Sequence, residues 1–280
     1  MSTIEVRGVQ HYYEWIRQQQ SDRDKPIMVF VHGWGGSSQY WQSIARLLSD
    51  RFDCLLYDLR GFGRSLKGVA SQDFSYELEE YARDLAIFLD NLHIDRKIYL
   101  NSHSMGGSIG VLFANLYPDK VEKSIVNCNG IFEYDKRAFA IFHQFGKYVV
   151  QFRYKWFLKV PFMERLFMAR FLSRPIPPAL SKIFLSDFIV ADYEAALKTI
   201  YSSVNKETVE VMPKEFARIQ VPTLLITGEK DRIIPAKMGK AAAALNDSIG
   251  YEEVAGTGHF PMLEDTKTYL KLVKNFLEIN

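Results

Sequence analysis

The chain reads as an α/β protein: a parallel sheet covered by helices on both faces, interrupted once by an inserted helical stretch. Three observations predict this class. Short apolar runs such as Pro26–Val31 and Phe52–Tyr57 suit strands buried on both faces. Between such runs lie stretches with apolar residues at helical spacing, among them Leu78, Tyr81, Leu85, Phe88 and Leu92. The alternation stops at about Phe132 and resumes at Pro222, and the residues between are helical in pattern and rich in aromatics.

Taken in order, Val9 to Trp15 suits an arm of a hairpin. Pro26–Val31 is a buried strand that ends in His32-Gly33-Trp34-Gly35-Gly36, with a helix from about Gln39 to Ser49. Phe52–Tyr57 is a second buried strand, ending at Asp58 to Ser65. A helix over Ser75–Leu92 follows, then the strand Lys97–Leu100, a helix to about Tyr117 and the strand Ser124–Asn127. After the insertion come the strand Pro222–Thr227, a helix near Ala236–Leu245, the strand Ser248–Val254 and a last helix with Tyr269, Leu272, Val273 and Phe276 on one face. The boundaries expected are therefore residues 1–131 and 214–280 for the core and 132–213 for the insertion. Arg174-Pro175-Ile176-Pro177-Pro178 should break that insertion in two.

Composition narrows the function classes. A length of 280 residues accommodates one α/β domain with an insertion. A net charge of +2 is too small to suggest nucleic-acid binding by bulk charge. The two cysteines, Cys54 and Cys128, lie within or beside core strands, which argues against a disulfide framework and fits a reducing compartment. No Cys/His spacing typical of a metal site is present. The N-terminus lacks the basic start and apolar run of a signal peptide, and no apolar run is long enough to cross a bilayer. A cytoplasmic enzyme is the expectation.

The chemistry centres on Asn101-Ser102-His103-Ser104-Met105-Gly106-Gly107, set between a strand and a helix. This is the layout of a nucleophile elbow, a sharp strand-to-helix turn that exposes a Ser hydroxyl. Ser102 and Gly106 are the small residues that such a turn requires on either side of Ser104, and Gly107 lets the helix pack closely. The turn also places Ser104 at a helix N-terminus, where developing negative charge is favoured. Short motifs of this kind recur as plain loops, so the neighbouring residues must decide. A Ser nucleophile needs a base and a carboxylate to orient it. Asp231 and His259 each stand just beyond a strand, where functional groups of open parallel sheets gather. Asp231 also has the position of a helix N-cap, and Glu229 is its nearest rival. The other strand end available to an acid holds Asn127, Cys128 and Asn129 instead. The backbone N–H groups of Trp34 and Met105 are the expected oxyanion donors. His32 is expected to prop its loop, His103 to be structural, and Asp58 to join an Asp–Arg pairing beside the site rather than a phosphate loop.

The stretches His32–Gly36, Asp58–Ser65, Ser102–Gly107, Gly228–Pro235 and Gly256–Pro261 occur in an order that resembles the α/β-hydrolase fold superfamily, specifically its lid-bearing serine esterase and lipase-like branch. The resemblance implies an eight-stranded, mostly parallel sheet with a helical lid. It also implies Ser104 as nucleophile, Asp231 as acid and His259 as base, with no cofactor and no metal. Ser102 departs from the family's usual Gly. Ser104 argues against the epoxide hydrolases and haloalkane dehalogenases of this fold, which carry Asp there. C–C bond hydrolases rank lower, because they more often have Asn at position 103 and Trp at position 260. Cofactor-independent dioxygenases of the fold have Ser-His at the elbow, which Ser102-His103 resembles; a ligand-sensing receptor is a further alternative.

From Lys136 to Arg174 nine Lys or Arg stand against one acid, Glu164, interleaved with aromatics. Such a basic amphipathic stretch can lie on an anionic membrane. The preferred expectation is that the aromatics line the pocket or pack on the core while the cations form a solvated face. Trp34, Phe139, Phe142 and Phe260 are the pocket residues expected, and an aromatic lid suits a small-molecule carboxylic ester with an apolar acyl or aromatic group. Acyl length and oligomeric state leave no mark in the sequence.

Overall fold

Period-two alternation along the central strands sorts the core into two layers. In β3 (Ile27–Val31) and β4 (Asp53–Tyr57) every residue is buried. Val29, Val31, Leu55 and Tyr57 face one layer, with Leu85 and Phe88 of the helix Leu78–Asn91 and Ile109 and Phe113 of the helix Met105–Leu116. Met28, Phe30, Cys54 and Leu56 face the other, against Trp41, Ile44, Leu48 and, from the helix Thr266–Leu277, Tyr269 and Val273. The computed structural model describes residues 2–18, 25–68, 75–132 and 146–279.

Eight strands form one sheet. The others are β1 (Ser2–Val6), β2 (Val9–Ile16), β5 (Ile98–His103), β6 (Val121–Asn127), β7 (Thr223–Gly228) and β8 (Ile249–Val254). Their spatial order is β1-β2-β4-β3-β5-β6-β7-β8. The hairpin expected at Val9–Trp15 is β1–β2, turned by Arg7 and Gly8 at positive φ, the geometry that matches strand twist. β2 pairs antiparallel with β4 and all later pairs are parallel. The chain reverses its direction of travel across the sheet between β3 and β5. Ligands of open α/β sheets bind at such a switch point, outside the carboxyl ends of the strands.

Between β6 and β7 the described residues include the helices Met163–Met168, Pro178–Val190, Tyr193–Ser202 and Lys206–Ala217. The Pro-rich stretch separates the first two as expected, with Pro178 opening its helix where a missing N–H costs nothing. The helix Lys206–Ala217 runs through the expected boundary at residue 214 and packs on the core through Met212 and Phe216. Polar links tie the insertion down: Trp34 Nε1 donates to the Ala196 carbonyl at 2.8 Å, Ser37 Oγ to Asp187 at 2.5 Å, and Asp192 N–H to the Gly61 carbonyl at 2.8 Å. The aromatics divide. Phe157 and Phe167 pack against Leu185, Phe188 and Ile189, whereas Tyr148, Phe152, Trp156 and Phe162 are exposed, so burial of all of them is not what is found. Phe139 and Phe142 lie outside the described residues. Among the described residues no helix is long and apolar enough to cross a membrane.

Candidate active site

Ser104 stands between β5 and the helix Met105–Leu116 with φ 54° and ψ −124°. A residue other than Gly in that region is strained, and such strain is characteristic of functional turns. The turn is closed by Gly106, where a Cβ would meet the His32 carbonyl oxygen at 2.4 Å and that of Val31 at 2.9 Å. Ser102 fits for a reason that the motif alone does not reveal. Its side chain lies over Gly110, where a Cβ would come within 2.6 Å of Ser102 Oγ. Its hydroxyl donates to the Ile125 carbonyl at 3.2 Å, which makes Ser102 part of the sheet's packing.

The sheet brings Ser104, Asp231 and His259 together. Ser104 Oγ lies 2.9 Å from His259 Nε2, and His259 Nδ1 lies 2.7 Å from Asp231 Oδ2. Asp231 and His259 are 5% and 3% exposed, so the pair is shielded from water. Asp231 Oδ1 accepts the N–H groups of Ile233 at 2.8 Å and Ile234 at 3.0 Å, which fixes the carboxylate and leaves Oδ2 for the imidazole. Asp231 is not a helix N-cap: Pro235 holds that position before the helix Ala236–Ala243, and Oδ1 closes the turn at Ile233 and Ile234 while Oδ2 meets His259. Glu229 turns to the Gly256 N–H instead.

Two supports escaped the sequence reading. Glu264 is 8% exposed, and its carboxylate accepts the N–H groups of Gly258 and Phe260 on either side of His259. It also accepts those of Ser173 at 2.7 Å and Arg174 at 2.8 Å, so one carboxylate clamps the His259 turn to the insertion. Tyr40 is the second. Its hydroxyl accepts the Gly33 N–H at 2.6 Å and lies 3.0 Å from His103 Nδ1, while His103 Nε2 lies 2.7 Å from the His259 carbonyl. Burial pushes the His103 pKa well down and the Tyr40 pKa well up, so both are neutral. The directions follow: Gly33 N–H to Tyr40 O, Tyr40 O–H to His103 Nδ1, His103 Nε2–H to the His259 carbonyl. The sole sequence signal for Glu264 was a carboxylate closing a short Gly/Pro turn; Tyr40 gave none.

His32 is fully buried, with Nδ1 2.8 Å from the Gly33 carbonyl and Nε2 accepting the Leu59 N–H at 2.9 Å. It props the loop, and burial lowers its pKa. Asp58 is buried and pairs through both oxygens with Arg64, at 2.7 and 3.0 Å, while Arg60 goes to Asp84 at 2.8 Å. This pairing lowers the Asp58 pKa against the opposing effect of burial. Gly33 lies close to Ser104, since a Cβ there would stand 3.1 Å from Ser104 Cβ, so the loop carrying Trp34 borders the hydroxyl. The Trp34 ring leans on Phe188, with centroids 5.6 Å apart. Phe260 is 6% exposed and packs between Phe184 and His103, which makes it part of the core.

His103, Cys128 and His259 present atoms within 4.8 Å of one another, as metal ligands would. The imidazole nitrogens already have the partners described above. Cys128 is fully buried beside Asp231, and burial raises its pKa, so it keeps its proton. The group is a hydrogen-bonded network.

Comparison with known proteins agrees with this architecture. Residues 26–266 match the family model described as the alpha/beta hydrolase fold. An uncharacterized hydrolase of Bacillus subtilis, YugF, is 25% identical over 98% of this chain and 96% of its own. A thermophilic esterase from Thermogutta terrifontis superposes with a TM-score of 0.78 at 19% identity, covering 99% of this chain and 98% of that one. The enol-lactonase from Burkholderia xenovorans superposes with a TM-score of 0.79 at 20% identity, covering 99% of this chain and all of that one, 100%.

Proposed function

The chain belongs to the alpha/beta hydrolase fold family, and on that premise we propose that it is a serine hydrolase cleaving a carboxylic ester with an apolar acyl or aromatic group. The observation that carries this reading is the continuous hydrogen-bonded line from Ser104 Oγ through the His259 ring to Asp231. His259 Nε2 takes the Ser104 proton as Oγ attacks the carbonyl carbon. The oxyanion is received by the N–H groups of Trp34 and Met105, each contributing on the order of 3 kcal/mol in the transition state. The imidazolium gives its proton to the departing alkoxide, leaving an acyl-Ser104 ester. A water deprotonated by His259 then attacks that ester and releases the carboxylic acid. Asp231 holds the tautomer with Nδ1–H and offsets the imidazolium charge. No cofactor enters these steps.

The aromatic setting supports an apolar substrate. Trp34, Phe167, Phe171 and Phe188 form a connected set of ring contacts, and Phe171 lies 6.2 Å from His259. The inserted helices then act as a lid over Ser104. The C–C cleavage and dioxygenase readings gain nothing from Ser102 and His103, whose polar atoms face Ile125, Tyr40 and the His259 carbonyl. The test is hydrolysis of p-nitrophenyl esters from acetate to palmitate by the wild type and Ser104→Ala. Turnover that the variant loses supports the proposal, and the best chain length sizes the pocket. Absence of turnover by the wild type on every ester would overturn it in favour of cofactor-free C–C cleavage, oxygenation or a receptor.

A further inference from the structure

Residues 147–170 carry an apolar surface that the proposed hydrolysis does not use. Phe152, Tyr154, Trp156, Leu158, Phe162 and Leu166 are between 46% and 71% exposed, and Tyr148 and Val149 continue the patch at 49% and 45%. Soluble proteins seldom leave so many large apolar side chains in water along one short stretch, and a contiguous patch of this kind marks a docking surface. The stretch has two opposed apolar faces. Phe157, Met163 and Phe167 point inward onto Leu185, Phe188 and Ile189, so the fold already satisfies one of them. Phe162 has φ 61°, a left-handed conformation that is costly for a bulky residue, and it is 65% exposed.

Charge selects the partner. Lys147, Lys155, Lys159, Arg165 and Arg170 are exposed among these apolar side chains. The one acid between residues 146 and 174, Glu164, is buried. Arg165 lies over the Phe162 ring at 5.2 Å, so cation and apolar group share one surface. Tyr and Trp rings interleaved with Lys and Arg suit the boundary between headgroups and acyl chains, where rings embed and long cationic side chains reach the phosphates. Pairing this face with a second copy of itself would bring like charges together. We infer that the outer face of residues 147–170 docks on an anionic phospholipid surface.

This docking is independent of Ser104 chemistry and is tested without it. Wild type should co-sediment with vesicles of phosphatidylcholine mixed with an equal amount of phosphatidylglycerol and remain in solution with phosphatidylcholine alone. Added salt should release it. Replacing Lys155, Lys159 and Arg165 together with Gln should weaken partitioning about a hundredfold, at about fivefold for each cation. Phe162→Ser with Leu166→Ser should weaken it by about a hundredfold or more. Melting temperatures of both variants establish that each folds, and either alone suffices for the test. Equal pelleting with neutral and anionic vesicles, no pelleting with either, or folded variants that bind like wild type would overturn the inference. So would a dimer of the wild type, seen by sedimentation velocity without vesicles, that Phe162→Ser/Leu166→Ser converts to monomer.

Discussion

In the sheet, β3, β4 and β7 are buried at every position, whereas the first part of the insertion leaves Trp156, Phe162 and Leu166 more than half exposed. The two regions meet through packing, as where Phe184 stacks on Tyr40 and where Met212 and Phe216 join the core, and through polar links from Trp34 to Ala196, Ser37 to Asp187, and Glu264 to Ser173 and Arg174. Ser104, Asp231 and His259 stand on strand ends that packing holds rigid. The polar links between insertion and core are individual hydrogen bonds that single substitutions can remove. Damage to the sheet side should therefore abolish chemistry or folding, while damage at the seam should alter access, stability and pH response.

The largest effect expected is on the sheet side. Ser104→Ala should lower kcat on a p-nitrophenyl ester by roughly 10⁶ and Asp231→Asn by roughly 10⁴, with melting temperatures close to wild type. A residual rate in Ser104→Ala within tenfold of wild type would remove Ser104 from the chemistry.

At the seam, Asp187 has its pKa pushed up to about 7, chiefly by burial and against the hydrogen bond from Ser37. Asp58 opposes its ionisation and Arg64 favours it. Unfolded, an Asp titrates near about 4. Its folded form holds the proton more tightly, so the contribution of Asp187 to stability is greatest below about 4 and is lost as pH rises through about 7. Asp187→Asn should remove that pH-dependent loss, about 3 kcal/mol of which falls between pH 5 and pH 8. Denaturant titrations of both proteins at pH 5 and pH 8 measure the difference, and parallel behaviour of the two would break the argument.

Glu264→Ala should strip four backbone N–H groups of their acceptor and destabilise the fold by about 3 kcal/mol. Part of the activity should be lost because the His259 turn loosens; a melting temperature equal to wild type would show that the clamp carries no load. Tyr40→Phe is the finer probe, leaving the buried Gly33 N–H and His103 Nδ1 unpaired at a cost of about 2 kcal/mol. Calorimetry reads that cost, and kcat should fall more than KM rises because both loops bordering Ser104 are loosened. The smallest effect should come from Ser102→Ala, which loses one hydrogen bond to the Ile125 carbonyl, about 1 kcal/mol, with kcat within a few-fold of wild type. A collapse equal to that of Ser104→Ala would contradict the packing role described for Ser102.

Much of the sheet was legible because buried parallel strands are written as uninterrupted apolar runs, as in Ile27–Val31 and Thr223–Gly228. The juxtaposition of Ser104, Asp231 and His259 was legible for a related reason, since each stands in the turn that follows a strand, although Ile249–Val254 before His259 is only partly apolar. β1 was less visible: Ser2–Val6 is an edge strand, largely solvated, and edges lack a strong apolar signature. Tyr40 and Glu264 were invisible because their roles depend on three-dimensional closure. Tyr40 lies on a short turn of helix after the Gly-rich loop and meets His103 across the sheet's end, and Glu264 reaches residues 173 and 174 from far along the chain. The split among the insertion's aromatics was also hidden, since Phe157 and Trp156 are adjacent and in ring contact, yet Phe157 packs on Leu185, Phe188 and Ile189 while Trp156 is 55% exposed. Neighbouring residues on a helical turn point about 100–120° apart, and the position of the Pro178–Val190 helix decides which of them is covered.

The pairing of β6 with β7 joins residues on either side of the whole insertion, with Asn127 opposite Ile226. Pairings so distant along the chain form late, after the long intervening loop has closed. Asp231 and His259 both follow β7, so their hydrogen bonds to each other and to Ser104 cannot exist until that closure is complete. During synthesis Ser104 emerges before Asp231 and His259, and without them its hydroxyl has neither of these partners. Ester turnover would therefore report the arrival of the final strands, a clock for the last folding step that no spectroscopic label is needed to read.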